Sequence, residues 1–356
     1  MSQLHELGWN SFFQQYVKTG DSRTPARVVE EQRSAYRVAC QAGELLAEVA
    51  GHLRHSAIDR SALPAVGDWV LIEARIEEGG ATIHEVLPRK TKFSRKAVGA
   101  ETVEQIAAAN VDTVFLMTSL NADLNVRRIE RYLTTIWDCG AQAVILLSKA
   151  DLCNDLVPMI ERVAEIAVGA PIHALSSVTG EGVEHLSGYL LPGQTVALIG
   201  SSGVGKSTLI NLLLQCDVQK TLEIRKHDDR GRHATTARRL FLLPGGGMLI
   251  DTPGMRELQL WGASSGLSHT FSDIEMLATQ CRFRDCHHDS EPDCAVQSAL
   301  VTQQLSPERF ESYLKLRREL AYFTRKQDVL ARIEETRKWK RTHKSIREFY
   351  KHRDKP

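Results

Sequence analysis

The sequence has no run of apolar residues long enough to cross a membrane, which takes roughly 18 or more in succession. Its first residues include His5 and Glu6 and no long apolar stretch, so we expect no secretory signal. It also has no internal repeat and no low-complexity tract. Membrane, secreted and repeat proteins are therefore not favoured. The seven cysteines are expected to be free thiols or metal ligands in a reducing cytoplasm.

The chain also lacks a strong overall charge, since its formal net charge is +1 over 356 residues. The charge is unevenly placed, because residues 331–356 hold five Lys and five Arg against three Glu and one Asp, a net charge of +6. This basic tail either meets nucleic acid or another acidic surface, or is a solvated charged helix. A hydrophobic content of 42% and the length fit a soluble globular protein of two or three domains.

Residues 26–87 carry the pattern of short strands separated by turn residues. The five predicted strands are residues 26–30, 35–40, 44–49, 66–73 and 81–87. Five short strands in this length predict a small β-barrel of the OB type, a fold that commonly binds oligonucleotides. Other small barrels give the same pattern, so the OB assignment depends on the connections between the strands.

A basic segment, residues 89–96, follows the predicted barrel and holds five basic residues, no acidic residue and one aromatic residue. Such a segment can neutralise phosphates while Phe93 stacks on a base. The alternative is an ordinary exposed linker.

The pattern changes after residue 110, where continuous apolar runs appear. Residues 113–117 and 143–147 are typical of strands that are buried on both faces of a sheet. Further strands are predicted at residues 195–199 and 248–250, and residues 126–137 have helical spacing. The pattern predicts an α/β domain with a parallel sheet wrapped by helices.

A phosphate-binding loop is predicted at residues 200–207, between a strand and a helix. Its glycines let the backbone amides face phosphates, and the N-terminus of the helix adds its dipole. Lys206 is expected to reach the β- and γ-phosphates and to take part in catalysis, and the Ser207 hydroxyl to bind Mg²⁺. The predicted nucleotide-binding residues here are Gly200, Ser201, Ser202, Gly203, Val204, Gly205, Lys206, Ser207 and Thr208.

A second phosphate motif, Asp251-Thr252-Pro253-Gly254, follows the strand at residues 248–250. The Asp251 carboxylate is expected to hold Mg²⁺ through water, and the Gly254 amide to meet the γ-phosphate. The motif is weak alone, but its place after a buried strand supports the assignment.

A guanine-reading motif, Ser148-Lys149-Ala150-Asp151, follows the strand at residues 143–147. The Asp151 carboxylate can accept hydrogen bonds from N1 and N2 of guanine, a donor pair that adenine lacks. The stem of Lys149 can cover the base plane. A backbone amide of the segment Ser176-Ser177-Val178 can meet guanine O6, so the sequence favours GTP over ATP.

The group that assists hydrolysis is less apparent from the sequence. Met255 follows Gly254, and a thioether cannot orient water as the Gln of many GTPases does. His233 is the candidate, because it lies between the phosphate loop and Asp251, where a mobile switch is expected. Thr235 and Thr236 are the candidate magnesium ligands of that switch. The alternative for His233 is a surface or RNA-contacting histidine.

Four metal-binding side chains lie close together near the C-terminus: Cys281, Cys286, His288 and Cys294. Three thiolates and one imidazole predict a closed, tetrahedral, structural zinc site. His287 is the alternative imidazole, and reduced surface cysteines are the alternative interpretation of the whole cluster. Arg282 and Arg284 give this region a predicted RNA-facing surface.

The order of the nucleotide motifs is unusual, because the guanine motif precedes the phosphate loop. With this order, the chain resembles the ribosome-small-subunit-dependent GTPase A family of bacteria, which are circularly permuted GTPases. The residues that carry the resemblance are Gly67-Asp68-Trp69-Val70, residues 106–112, the phosphate loop, Gly231-Arg232-His233, Asp251-Thr252-Pro253-Gly254 and the Cys/His cluster.

The resemblance implies an N-terminal OB barrel, a central permuted GTPase domain and a C-terminal zinc domain. The boundaries expected here are an extension at 1–25, the barrel and basic linker at 26–96, the GTPase domain at 97–265 and the zinc domain with a basic helical tail at 266–356. The resemblance also implies a role late in small-subunit maturation, GTP hydrolysis stimulated by the subunit, and a part for His233 in hydrolysis.

The chain departs from the family pattern at two positions. The family usually has Asn where this chain has Ser148; Asn can donate to guanine N7 and brace the phosphate loop, and the Ser hydroxyl is shorter. This departure affects the expected nucleotide affinity more than the guanine preference, which depends on Asp151. The family also usually has Thr where this chain has Ala234.

The sequence therefore predicts a cytoplasmic GTP hydrolase that binds Mg²⁺ with GTP, carries one structural Zn²⁺ and acts on the small ribosomal subunit and its ribosomal RNA. A GTP-gated RNA-binding adaptor, whose hydrolysis is incidental, is the alternative that Met255 and Ser148 suggest. A small-metabolite kinase is disfavoured by the barrel and the basic tail. No signal for oligomerisation is present, so a monomer is expected.

Overall fold

A computed structural model describes residues 2–32, 35–57, 60–96, 104–120, 124–215, 238–251 and 265–325. The chain divides into two compact units, Met1–Gln259 and Leu260–Pro356. Within these described ranges, no helix is both long enough and apolar enough to span a membrane.

The described part of the first unit contains thirteen strands, numbered β1 to β13 along the chain. They are Thr24–Glu31, Tyr36–Cys40, Gly43–Val49, Trp69–Arg75, Gly80–Val86, Lys92–Lys96, Glu104–Ala109, Thr113–Ser119, Gln142–Ser148, Ile172–Leu175, Thr195–Gly200, Arg239–Leu242 and Met248–Asp251. Helices α1 to α6 of the same unit are Ser2–Glu6, Ser11–Gln14, Gly51–Ser56, Val126–Cys139, Val157–Ala164 and Lys206–Leu214. Short 3₁₀ helices occupy Arg60–Ala62, Ile76–Glu78, Ala150–Leu152 and Val183–Tyr189.

Strands β1 to β5 form a closed barrel in the order β1-β2-β3-β5-β4-β1. Strands β3 and β5 pair in parallel, and the other neighbours pair antiparallel. This order confirms the predicted OB-type barrel and its five strands. The barrel core is built from short and β-branched side chains: Ala26, Val28, Val38, Cys40, Leu45, Ala47, Val70, Ile72, Ala81 and Ile83.

The predicted strand at residues 66–73 begins later, at Trp69, because a tight turn comes first. The Asp68 amide donates to the Ala65 carbonyl at 3.0 Å, and the Asp68 carboxylate accepts from the Ala65 amide at 2.8 Å. Gly67 has a φ of +92°, which favours glycine, and a Cβ there would lie 2.1 Å from the Ala109 carbonyl oxygen.

The remaining strands of the large sheet have the order β10-β9-β8-β11-β13-β12. All neighbours pair in parallel except β12, which is antiparallel to β13. Both faces of β8 are buried, because Val114 and Leu116 join one apolar core while Phe115 and Met117 join the other. The predicted parallel sheet covered on both faces is thus confirmed.

Strand β1 belongs to the barrel and also continues the large sheet, because its Glu30 pairs with Arg239 of β12. Beside this junction lies Arg27, which is only 1% exposed. Its guanidinium donates to the Leu7 carbonyl, to the Asn110 carbonyl and to the Thr195 hydroxyl. Burial lowers the pKa of Arg27 to about 10. One buried side chain therefore ties the N-terminal helices, the barrel and the parallel sheet together.

The N-terminal segment packs on the barrel through aromatic rings. The ring of Trp9 lies 4.7 Å from that of Trp69, and the ring of Phe13 lies 5.8 Å from it. Trp9, Phe13 and Trp69 all belong to the larger apolar core of the unit. Burial of these rings removes a large apolar area from water, which fixes the segment in place.

The interpretation of residues 89–96 as a nucleic-acid contact is wrong for its first arginine and its aromatic residue. Phe93 is 1% exposed and packs in the core, so it cannot stack on a base. Arg89 donates to both carboxylate oxygens of buried Asp68, each at 2.7 Å. The alternative of an exposed linker fails as well, because the segment from Lys92 onward forms β6 and pairs with β7. Arg89 therefore binds a buried carboxylate and Phe93 packs in the apolar core, although the sequence pattern predicted that both are accessible.

The described part of the second unit is helical. Helices α7 to α10 are Ser265–Thr270, Ser272–Ala278, Ala295–Val301 and residues 307–325. Their small core includes Phe271, Ile274 and Val296. Arg309 of α10 clamps the Asp273 carboxylate of α8 with two hydrogen bonds of 2.7 and 2.8 Å.

Candidate functional site

The predicted phosphate loop lies at the carboxyl end of the central strand β11, and α6 begins at its Lys206. Gly200 pairs with Met117 of β8 and has a φ of +150°. A Cβ on Gly200 would lie 2.2 Å from the Met117 carbonyl oxygen, so no larger residue fits. Gly205 caps α6 with a φ of +98°. These two glycines let the loop curl at the N-terminus of a helix, which is a favourable place for an anion.

Lys206 folds back over the start of the loop. Its ammonium group donates to the Gly200 carbonyl at 2.8 Å and to the Ser201 carbonyl at 2.6 Å. Ser202 and Gly203 at the loop tip are exposed, as are Ser207 and Thr208 in the first turn of α6. The side of the loop that a phosphate chain would approach is therefore open, with one cation beside it.

Ser148 reaches the phosphate loop, although its side chain is short. Its hydroxyl oxygen lies 2.7 Å from the Val204 carbonyl and 3.2 Å from the Thr118 carbonyl, and the residue is 1% exposed. The Ser hydroxyl, although shorter than an Asn side chain, therefore contacts the loop. The reason is geometric, since the last residue of β9 lies directly beside Val204.

Strands β9 and β10 bring the two parts of the predicted guanine site together. Leu175 of β10 pairs with Ser148 of β9, so Ser176 and Ser177 continue the chain beside the residues that follow Ser148. Lys149 has a left-handed φ of +60°, which turns the chain into the short helix that carries the exposed Asp151. The carboxylate is thus accessible at the same edge of the sheet as the phosphate loop.

Two serines of the second guanine segment have different surroundings. The Ser176 hydroxyl accepts from the Val178 amide at 3.3 Å and the Thr179 amide at 3.2 Å, which shapes the turn. The Ser177 hydroxyl oxygen is buried and has no hydrogen-bond partner among the described residues. Because a buried hydroxyl without a partner is costly, it is a candidate ligand contact.

Asp251 is the last residue of β13 and pairs with Leu198 of β11, two residues before the phosphate loop begins. Its carboxylate is therefore placed at the carboxyl edge of the sheet, beside the loop. Gly254 and the predicted switch residues His233, Thr235 and Thr236 lie outside the described residues. Their roles remain predictions.

The second unit brings Cys281, Cys286, His288 and Cys294 into one cluster, whose ligand atoms lie within 4.8 Å of one another. The Cys281 and Cys294 sulfur atoms are 3.8 Å apart, and the His288 Nδ1 atom lies 3.6 and 3.5 Å from them. A tetrahedral ion with Zn–S bonds of about 2.3 Å has its sulfur atoms about 3.8 Å apart. The cluster thus has the size of a tetrahedral zinc site.

Neighbouring groups hold the cluster in place. Cys294 caps α9, and its sulfur accepts from the Gln297 amide at 3.5 Å. The Gln297 side chain in turn donates to the His288 carbonyl. His288 is buried and has a left-handed φ of +61°, which turns its ring toward the sulfur atoms. His287, the alternative imidazole, is not part of the cluster in the described residues.

Sequence reasoning missed one residue at the phosphate loop. Arg128, in the first turn of α4, donates from Nη1 to the Ser201 hydroxyl at 2.7 Å. The signal that could have found it is the pair Arg127-Arg128 in the first turn after the capping Asn125, since cations at a helix N-terminus oppose the helix dipole.

Comparison with known proteins agrees with this geometry. Residues 86–261 match the family model described as RsgA GTPase. A protein of Oceanobacillus iheyensis named small ribosomal subunit biogenesis GTPase RsgA 1 is 50% identical over 317 residues, which are 89% of this chain and 90% of that protein. The chain belongs to the RsgA GTPase family. As a member of this family, it is a GTP hydrolase.

Two solved structures share the fold with this RsgA family member. The crystal structure of YjeQ from Thermotoga maritima has a TM-score of 0.63 and 27% sequence identity, and covers 84% of this chain and 99% of its own. The structure of YloQ, described as a circularly permuted GTPase, has a TM-score of 0.61 and 22% identity, and covers 86% of this chain and 98% of its own. The permuted GTPase fold expected from the motif order is therefore confirmed.

Proposed function

We propose that this GTPase acts late in the maturation of the small ribosomal subunit, hydrolysing GTP to GDP and phosphate in response to that subunit. The observation that carries the proposal is the convergence of the phosphate loop and the Asp151 segment at one edge of the sheet, although their chain order is reversed. The name of the Oceanobacillus iheyensis relative supports the choice of target.

The phosphate end of the site binds the triphosphate through backbone amides and Lys206. The helix dipole of α6 and the ammonium group of Lys206 both stabilise negative charge at the loop. The Ser207 hydroxyl and the Asp251 carboxylate supply hard oxygen donors, which fit Mg²⁺. A bound Mg²⁺ neutralises charge on the β- and γ-phosphates.

The guanine end of the site selects the base. Asp151 accepts the two donors N1–H and N2–H that distinguish guanine from adenine. The stem of Lys149 covers the base plane, and the Ser177 amide donates to O6. The buried Ser177 hydroxyl, which has no hydrogen-bond partner among the described residues, then donates to an acceptor on the edge of the base.

His233 is proposed to position or activate the water that attacks the γ-phosphate, since Met255 cannot do so. The Gly254 amide meets the γ-phosphate, and Thr235 or Thr236 completes the magnesium site.

The cluster of Cys281, Cys286, His288 and Cys294 is proposed to hold one structural Zn²⁺. Four protein ligands leave no open position, so the ion would stabilise the second unit and take no part in hydrolysis. The small size of the helical core around the cluster supports this role.

Ribosomal RNA is proposed to bind the second unit and the basic tail. Phe93 is buried and Arg89 is bound to the buried Asp68 carboxylate in the first unit, which argues against both as RNA contacts. Arg282 and Arg284 are exposed, and Arg282 lies over the ring of Phe283, which is itself partly exposed. A cytoplasmic location and a monomeric state complete the proposal.

The test is GTP hydrolysis by the purified protein alone and with small subunits, large subunits or intact ribosomes, with ATP as the control nucleotide. Stimulation of GTP turnover by small subunits, without ATP turnover, is the expected result. Equal, slow turnover in every mixture would contradict the proposed target.

A GTP-gated RNA-binding adaptor is the second candidate, favoured by Met255 at the position of the water-orienting Gln. The substitution His233→Ala separates the two. A hydrolysis-dependent factor would stay bound to small subunits and fail in cells, whereas an adaptor would keep its cellular function.

A further inference from the structure

Arg128 contacts the phosphate loop from a different strand–helix unit. It lies in the first turn of α4, and its guanidinium donates to the Ser201 hydroxyl at 2.7 Å. Helix α4 follows β8, and β8 lies beside β11, so both the helix N-terminus and the loop are at the carboxyl edge of the sheet. Arg128 and Ser201 are therefore brought together by the order of the strands in the sheet, although they lie 73 positions apart in the sequence.

The position of Arg128 is unfavourable for helix stability. Asn125 caps α4 by accepting from the Arg128 amide at 3.0 Å, and no acidic residue lies in the first turn. A cation there opposes the helix dipole. The neighbouring Arg127 offsets this unfavourable interaction by pairing with buried Glu130 at 2.7 Å, one turn along the same helix. Arg128 reaches the phosphate loop.

Ser201 is consequently held by two cations through two different groups. Lys206 donates to its backbone carbonyl at 2.6 Å, and Arg128 donates to its hydroxyl at 2.7 Å. Lys206 belongs to the loop's own helix, so it moves with the loop, whereas Arg128 is anchored outside it. A charge-assisted bond from an external, capped helix fixes the loop relative to the sheet.

We propose that Arg128 is a positioning residue for guanine-nucleotide binding, which sets the first turn of the phosphate loop through the Ser201 hydroxyl. Because the loop amides surround phosphates that GDP and GTP share, the bond supports both nucleotides equally. The inference rests on the nucleotide site proposed above.

The test is a double-mutant cycle with Arg128→Ala and Ser201→Ala, measured as the affinity for GDP and for a non-hydrolysable GTP analogue. Each single variant is expected to bind both nucleotides about tenfold more weakly, the effect of losing one charge-assisted hydrogen bond. The double variant is expected to bind no more weakly than the single variants, because both remove the same bond. Arg128→Lys is expected to recover part of the affinity.

Arg127→Ala is the matched control, since it removes the same charge from the same helix turn without touching the loop. It is expected to leave nucleotide affinity within twofold of the unaltered protein. Additive losses in the double variant, or unchanged affinity in Arg128→Ala, would overturn the inference. A fall in kcat with unchanged GDP affinity would also overturn it, because the arginine would then act on the reacting phosphate. Failure of the unaltered protein to bind GDP would instead contradict the proposed nucleotide site.

Discussion

The phosphate end and the guanine end of the nucleotide site are built in different ways. At the phosphate end, one continuous segment forms the loop, and side chains from outside it fix its shape: Ser148 holds the Val204 carbonyl and Arg128 holds the Ser201 hydroxyl. At the guanine end, the site is formed by two short segments that follow the different strands β9 and β10. They are held beside each other by the pairing of Leu175 with Ser148.

This difference separates backbone recognition from side-chain recognition. In the proposed site, backbone amides bind the phosphates, so the loop must have one shape, and Gly200 packs against the Met117 carbonyl. Guanine is proposed to be recognised by the side chain of Asp151, which is exposed and needs only to be placed at the correct sheet edge. We therefore expect the largest single effect at the phosphate end.

The largest effect is expected for Gly200→Ala. The added Cβ would lie 2.2 Å from a backbone oxygen of β8, and neither strand can move freely in a sheet buried on both faces. GDP affinity is expected to fall by at least about 100-fold, near 3 kcal/mol, as measured by calorimetry. Gly245→Ala is the control, because nothing lies within 4 Å of its Cβ position. Near-normal GDP binding by Gly200→Ala would show that the loop is less constrained than its packing indicates.

A smaller loss, roughly 30-fold for GTP or about 2 kcal/mol, is expected for Asp151→Ala, because it removes an acceptor for two donors of the base. The comparison with inosine triphosphate, which lacks the N2 amino group, makes the test specific. The unaltered protein is expected to prefer GTP to this analogue, and the variant to bind the two alike. Asp155→Ala should behave like the unaltered protein. If Asp151→Ala keeps the preference for GTP, another group reads N2.

Ser148→Ala tests the bond that links the two ends, since Ser148 ends the guanine-side strand and holds the phosphate loop. Loss of a hydroxyl from a buried carbonyl costs about 1–2 kcal/mol, so nucleotide affinity is expected to fall about tenfold. The loss should be equal for GTP and inosine triphosphate, because the hydroxyl contacts the loop and not the base. Ser148→Thr keeps the hydroxyl and should restore most of the affinity. A loss confined to GTP would instead place the hydroxyl on the base.

The smallest effect, about three- to fivefold in GDP affinity, is expected for Ser177→Ala. The direction of the change in melting temperature is a more decisive measurement than the change in affinity. The Ser177 hydroxyl is buried without a partner among the described residues, so its removal should leave the melting temperature of the nucleotide-free protein unchanged or slightly raised. Val178→Ala, at a highly exposed neighbour, is the control. A lower melting temperature for Ser177→Ala would mean that the hydroxyl is already bonded in the free protein.

Much of the first unit could be predicted from the sequence because its patterns are local. The short strands and turn residues of 26–87 reflect the barrel, and the continuous apolar runs of β8 and β9 reflect a sheet buried on both faces. The phosphate loop was predictable for a related reason, since glycine spacing is a direct record of the backbone conformation. The Cys/His cluster followed from ligand chemistry and spacing.

The wrong predictions concern side chains whose partners lie far away in the sequence. Arg89 and Phe93 lie in a segment that is basic by composition, yet Arg89 binds Asp68 and Phe93 packs in the apolar core. Nothing in residues 89–96 alone reveals a buried carboxylate twenty-one positions earlier. The contact of Ser148 with the loop cannot be predicted from side-chain length, because it depends on the distance to Val204, a residue fifty-six positions away.

The sequence by itself determined the chemical parts of this protein: a glycine-rich loop between a strand and a helix, an acidic residue proposed to recognise guanine, three thiols with one imidazole, and the reversed motif order. The tertiary structure alone decided which side chains hold those parts in place. The order of strands β9, β8 and β11 puts Ser148 and Arg128 against the loop, and the turn at Gly67 puts Asp68 against Arg89. Motifs record the local backbone and the bond-forming groups, whereas contacts between distant segments depend on how strands pair in space.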